Sequence, residues 1–102
     1  MEVFAALADP TRRALLDRLL AEGPLSILEL AEPLPMSRQA VTRHLDLLAE
    51  TGLVTAERRG RKRLHRMAPE SLAPVDEWLV PYRAAWDRRL ERLRRHLEEE
   101  ER

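Results

Sequence analysis

The chain has 102 residues, enough for one compact domain and too short for two ordinary ones. Its hydrophobic fraction of 44% is mostly Leu and Ala, with aromatics at 4%, so helices are favoured and a partner subunit is expected to help bury surface. The absence of cysteine excludes disulfides, thiolate metal sites and cysteine nucleophiles, and no apolar run reaches the roughly 18 residues of a membrane span, so a soluble cytoplasmic protein is expected. The formal net charge of zero is a sum of opposites. Residues 1–35 hold three Arg against six acids, residues 36–66 seven Arg and one Lys against three, and residues 67–102 seven Arg against nine. A basic middle third is the footprint of a nucleic-acid surface, although a solvated patch would look similar.

In chain order, "VFAALA" predicts a short helix. In "ADPTRRALLDRLLAEGPLS", Asp9 can cap, Pro10 suits the first helical position, Leu15, Leu16, Leu19 and Leu20 form an apolar stripe, and Gly23-Pro24 ends the helix. Arg12 and Arg13, at its start, are expected to make structural ion pairs with Asp9 and Asp17. Next, "SILELAEPLP" has Ser26 and Glu29 at capping-box spacing, and Pro33 and Pro35 keep this helix short.

A further helix is predicted from about Ser37 to Glu50, capped by Ser37 and closed by Gly52. Val41, Leu45 and Leu48 share one face. Arg38, Gln39, Thr42 and Arg43 share the other, because 38/42 and 39/43 are helical neighbours. The stretch "LVTAERRGRKRLHRM" then reads as a hairpin with a glycine between basic residues. From Pro69 the chain returns to helix: Val75, Trp78, Leu79, Tyr82, Trp86, Leu90, Leu93 and Leu97 follow steps of three and four. Pro81 should kink or restart this helix, and the closing "EEEER" should fray. A stripe that long exceeds what a short domain can cover, so a second chain is expected on it. The alternative is that Trp78 and Trp86 fold back on their own domain.

The order of helices, tight turn and basic hairpin is that of a winged helix-turn-helix, a mostly α fold with a small β-hairpin. The expected organisation is one domain over 1–102, with the helix-turn-helix and wing at 9–67 and a C-terminal dimerisation helix, kinked near Pro81, at 69–100.

The blocks "LADPTRRALLDRLL", "LSILELAE", "MSRQAVTRHLDLLAETGLV" and "RRGRKRLHRM" resemble those of the ArsR/SmtB family of bacterial repressors, from about Phe4 to Met67. The tail "PVDEWLVPYRAAWDRRLERLRRHLEEE" resembles the ArsR-like subgroup often encoded beside START-like proteins. The resemblance implies a homodimeric repressor on an imperfect palindrome, joined through its terminal helices. It also marks departures. Where family metal sites place cysteines in the short helix, this chain has Ser26 and Leu28. Where another family site has ligands on the last helix, only His96 and Glu99 match, opposite Arg83 and Ala85, which cannot ligate. No metal or cofactor is expected.

Candidate DNA-binding residues are therefore Ser37, Arg38, Gln39, Thr42 and Arg43, whose donors suit base edges or phosphates, and Arg58, Arg59, Arg61, Lys62 and Arg63 on the wing. His44 belongs with them as either a phosphate contact or a packing residue against the turn. Candidate dimer-interface residues are Phe4, Leu7, Trp78, Leu79, Tyr82, Trp86, Leu90, Leu93 and Leu97. His44, His65 and His96 sit in no nucleophile motif, so no catalysis is expected. The expected partners are double-stranded DNA and a second copy of the chain, with room for a small-molecule effector of unidentified chemistry. The competing reading is a winged-helix protein–protein adaptor that has kept the fold without using DNA.

Overall fold

A computed structural model describes residues 1–101. The chain divides into two compact units, residues 1–72 and the helix that begins at Ala73. The first unit runs α1 (Val3–Ala6), α2 (Pro10–Glu22), β1 (Leu25–Ser26), α3 (Ile27–Ala31), α4 (Arg38–Glu50), β2 (Val54–Arg59), β3 (Lys62–Met67) and a 3₁₀ turn over Pro69–Leu72.

Within the first unit each helix begins where the sequence supplies a cap. The Asp9 carboxylate accepts the Arg12 N–H at 2.9 Å ahead of Pro10, and Gly23 ends α2 at φ 83°. Ser26 and Glu29 form the reciprocal capping box of α3. The Ser37 hydroxyl accepts the Ala40 N–H at 3.2 Å to start α4. At the far end of α4, Gly52 adopts φ 81°, its N–H reaches the Ala49 carbonyl, and the Leu53 N–H reaches Leu48, which is a Schellman closure.

Two expectations for α2 need correction. Arg12 and Arg13 are structural, but neither makes a close ion pair with Asp9 or Asp17; the Arg12 charge only adds to the hold that its backbone N–H has on Asp9. Arg12 donates to the carbonyls of Ala6 (2.8 Å) and Ala5 (3.2 Å), and Arg13 to that of Leu7 (2.7 Å), so the pair closes the C-terminal end of α1. A four-residue helix leaves most of its carbonyls without internal donors, and these guanidiniums supply them. Leu20 is exposed, since it lies at the rim of the arc that Leu15, Leu16 and Leu19 bury.

The core of this unit joins those three leucines to Ala6, Leu25, Leu30, Val41, Leu45, Leu48, Leu53, Val54 and Met67. The hairpin is accompanied by a third strand that the sequence did not suggest. β1 pairs antiparallel with β3, Leu25 opposite His65, giving the order β1-β3-β2. Two residues are too few to show a strand's alternation.

The second unit is α5 (Ala73–Glu100). It is continuous across Pro81, so the expected restart does not occur, although the proline leaves the Glu77 carbonyl without a helical N–H. The acidic end is helical to Glu100 instead of frayed; pairs such as Arg94–Glu98 and His96–Glu100 sit at helical spacing there. Arg102 lies outside the described residues.

Candidate nucleic-acid interface

The two faces of α4 separate as their spacing requires. Val41, Leu45 and Leu48 are fully buried, while Arg38, Gln39 and Arg43 are exposed. The side chains of Arg38, Gln39, Thr42 and Arg43 line one open groove together with Arg61, Lys62 and Arg63 of the hairpin. Its volume is about 1170 Å³. Thr42 is partly committed, because its hydroxyl donates to the Arg38 carbonyl at 2.9 Å and is left as an acceptor.

The hairpin turns on Gly60, φ 61°, the first of its two loop residues, as a type II′ turn requires. Its register sets Arg58 opposite Arg63 and Arg59 opposite Lys62. Like charges directly across a ladder repel. Glu57 relieves this for Arg59 (3.2 Å) and also reaches Arg66 (3.8 Å), and Lys62 is attracted by Glu29. Among the described residues, Arg38, Arg43, Arg58, Arg61 and Arg63 make no ion pair. Arg58, Arg61 and Arg63 also share a smaller hollow on the hairpin. An array of unneutralised guanidiniums around a groove is suited to a polyanion.

The groove has a second wall that sequence reasoning did not include: Ser26, Ile27, Leu28 and Glu29 at the start of α3, and Asp46 of α4. Asp46 could have been read from spacing, being three residues past Arg43 and four past Thr42. Leu28, 60% exposed, could not, since an exposed leucine carries no local signal. The Glu29 carboxyl is held below its usual range, first by the Ser26 backbone N–H, then by the Ser26 hydroxyl, with Lys62 and Arg18 adding attraction.

His44 lies elsewhere. It is absent from the groove, and its Nδ1 sits 4.0 Å from Asp9 Oδ2 at the start of α2. Ser37 is likewise not a groove residue; it is exposed at the N-cap of α4. Of the residues expected to form an interface between chains, Phe4 is exposed and Leu7 half-buried in the first unit. In the second, Trp78, Tyr82, Trp86, Leu90, Leu93 and Leu97 are all exposed and Leu79 is half-buried, while the rings of Trp78 and Tyr82 meet at a tilt of 44° with 4.9 Å between centroids.

Among the described residues no three His, Asp or Glu side chains gather where they could hold a metal, and His96 pairs with Glu100 at 3.0 Å, not with Glu99. No described helix is long and apolar enough to cross a membrane.

Comparison with known proteins agrees with this geometry. Residues 7–57 match the family model described as a helix-turn-helix domain. An HTH-type transcriptional regulator of Mycobacterium tuberculosis is 46% identical over 72 residues, which are 71% of this chain and 66% of that relative, so the match spans about two thirds of it. The crystal structure of an ArsR family transcriptional regulator superposes with a TM-score of 0.71 at 37% identity, over 82% of this chain and 91% of that one. The homodimeric winged helix-turn-helix DNA-binding domain from Mycobacterium bovis, solved by NMR, gives a TM-score of 0.60 at 33% identity, over 79% of this chain and 73% of that one.

Proposed function

The chain belongs to the ArsR family of helix-turn-helix transcriptional regulators, and from that premise we propose that it is a homodimeric repressor of a palindromic operator. The observation that carries this reading is the shared groove, in which the exposed face of α4 and the tip of the hairpin present Arg38, Gln39, Thr42, Arg43, Arg61, Lys62 and Arg63 together. In the proposed complex α4 enters the major groove, where Arg suits guanine edges and Gln suits adenine. Ser37, at the N-terminus of α4, faces a phosphate, and Arg58, Arg59 and Arg63 hold phosphates or a minor groove through the wing. The two protomers then address half-sites separated by about one helical turn or a multiple of it.

Dimerisation is assigned to Phe4 and Leu7 of α1 and to the α5 stripe of Trp78, Leu79, Tyr82, Trp86, Leu90, Leu93 and Leu97, with residues 9–67 acting as the reading head. The homodimeric state of the Mycobacterium bovis domain supports this. Within the family we assign the chain to the cysteine-less subgroup associated with START-like proteins, on its tail sequence and its lack of thiolate ligands.

Selecting bound duplexes from a random library tests the proposal directly. Enriched inverted repeats are the expected result; no enrichment, together with binding to random duplex that ignores salt, favours the protein–protein adaptor instead.

A further inference from the structure

We propose that His44 is a positioning residue that sets the orientation of the recognition helix α4 through Asp9, and does not itself contact DNA. The inference rests on the DNA-binding reading above. Successive residues on an α-helix are turned by about 100°, so the position after Arg43 already leaves the exposed face. His44 follows that geometry: it is outside the groove and against the first turn of α2. Its Nδ1 is enclosed and lacks a hydrogen-bond partner, an arrangement that is costly unless an acceptor comes within reach.

Asp9 is that acceptor. Its Oδ2 lies 4.0 Å from the ring nitrogen, and an approach of about 1 Å would close a charge-assisted hydrogen bond. Both side chains are partly shielded, with 21% of His44 and 32% of Asp9 exposed, so the attraction is less screened than on open surface. Nor is Asp9 a loose anchor. It caps α2 through the Arg12 N–H at 2.9 Å, and the guanidiniums of Arg12 and Arg13 grip the last carbonyls of α1. The Asp9 carboxyl is held below its usual range, chiefly by the Arg12 N–H, and the charges of His44 and Arg12 contribute. Because Arg43 and His44 are adjacent, fixing the imidazole fixes the rotation of α4 about its own axis. That rotation decides where Gln39 and Arg43 point.

The test uses the full chain and two duplexes, one selected for binding and one random, titrated across a range of salt concentrations. The variants are His44→Ala, His44→Gln, Asp9→Ser and the double variant His44→Ala with Asp9→Ser; serine keeps an N-cap oxygen but is too short to meet the imidazole. His44→Ala is expected to weaken the selected duplex on the order of tenfold, leaving random duplex and the salt slope unchanged. The double variant should be no weaker than Asp9→Ser alone, and His44→Gln, whose amide can donate to Asp9, should recover most of the loss. A fall of about one in the salt slope, with both duplexes weakened alike, would make His44 a phosphate contact and overturn the proposal. Additive effects of His44→Ala and Asp9→Ser would overturn it as well. If His44→Ala melts at the working temperature, His44→Gln against Asp9→Ser carries the comparison. Failure of the unmodified chain to bind either duplex would instead remove the DNA-binding reading itself.

Discussion

Helices α4 and α5 are both amphipathic, and what happens to their apolar faces is opposite. The apolar face of α4 is consumed inside residues 1–72, where Val41, Leu45 and Leu48 are completely buried, while no residue of α5 is buried and Trp86 is 61% exposed. On the polar side the difference is one of degree. Along α5, Arg83 pairs with Asp76, Arg94 with Glu91 and Glu98, and Arg95 with Glu91. Among the described residues Arg88, Arg89 and Arg92 make no ion pair, and on α4 neither Arg38 nor Arg43 has an acidic partner. What a helix leaves unsatisfied indicates what it is suited to meet: cations without counter-charges suit a polyanion, and an open leucine stripe suits another apolar surface. The stripe also has a regular shape. Leu79, Tyr82 and Trp86 are followed after 11 residues by Leu90, Leu93 and Leu97, a period close to that of a straight helix, so the apolar face barely drifts around α5.

The sharpest way to break this contrast is to cut the face that is already filled. Leu45→Ala should cost the first unit about 2–5 kcal/mol, read from a urea or thermal unfolding curve, because the cavity lies among fully buried neighbours. The same truncation at Leu93 should leave that unfolding transition nearly unmoved. A comparable loss at both positions would mean that α5 is part of the core. Trp86→Ala, next in size, should raise the dimer dissociation constant by roughly 30-fold or more, as truncating a central aromatic anchor does. Light scattering at micromolar concentration should then show a shift toward monomer, and an unchanged mass would remove Trp86 from the interface.

Cutting the open polar face gives smaller effects on a different quantity. Arg43→Ala is expected to cost about 1–3 kcal/mol on the selected duplex and less on random duplex, as the loss of a bidentate base contact would. Arg61→Ala should weaken all duplexes alike and lower the salt slope by about one, which is the signature of a phosphate contact. If the two substitutions behave identically, α4 and the wing are a single electrostatic surface and the division of labour between them fails.

The helices were legible in the sequence because their boundaries are written in side chains that act locally. Asp9, Ser26, Ser37, Gly23 and Gly52 each satisfy or release backbone groups within a few residues of themselves, so their roles survive without knowledge of the fold. The exposed face of α4 was legible for the same reason, since the 38/42 and 39/43 spacings fix it. What escaped were features made by distant pairings. Strand β1 exists only because Leu25 meets His65, 40 positions later, and the second wall of the groove exists because α3 is packed beside α4. The part Arg12 and Arg13 play was hidden because backbone carbonyls leave no trace in a sequence, whereas the nearby Asp9 and Asp17 do.

The smallest expected effect separates the two units by acid. His65 is 5% exposed on β3, the middle strand, between Leu25 and Ala56, and its Nδ1 has no hydrogen-bond partner. Burial pushes its pKa below the usual imidazole range; the Leu25 backbone and Asp46 pull it back, and Arg63 adds to the depression. The unfolded chain therefore takes up a proton near pH 6.5, while the folded chain resists, so the unfolded state holds more protons just below that pH. Stability of residues 1–72 should consequently decline as pH falls from about 7 to about 5. Asp9 and Glu29, both held below their ordinary values of 3.8 and 4.5, lend stability that disappears only in more acid solution, so the two windows stay apart. His65→Leu should flatten the decline between about pH 7 and pH 5 when urea midpoints are compared, because it leaves an apolar group where a proton is unwelcome. No titrating group of α5 is buried, so the slope belongs to the first unit. A slope that persists in His65→Leu would place its origin outside the sheet.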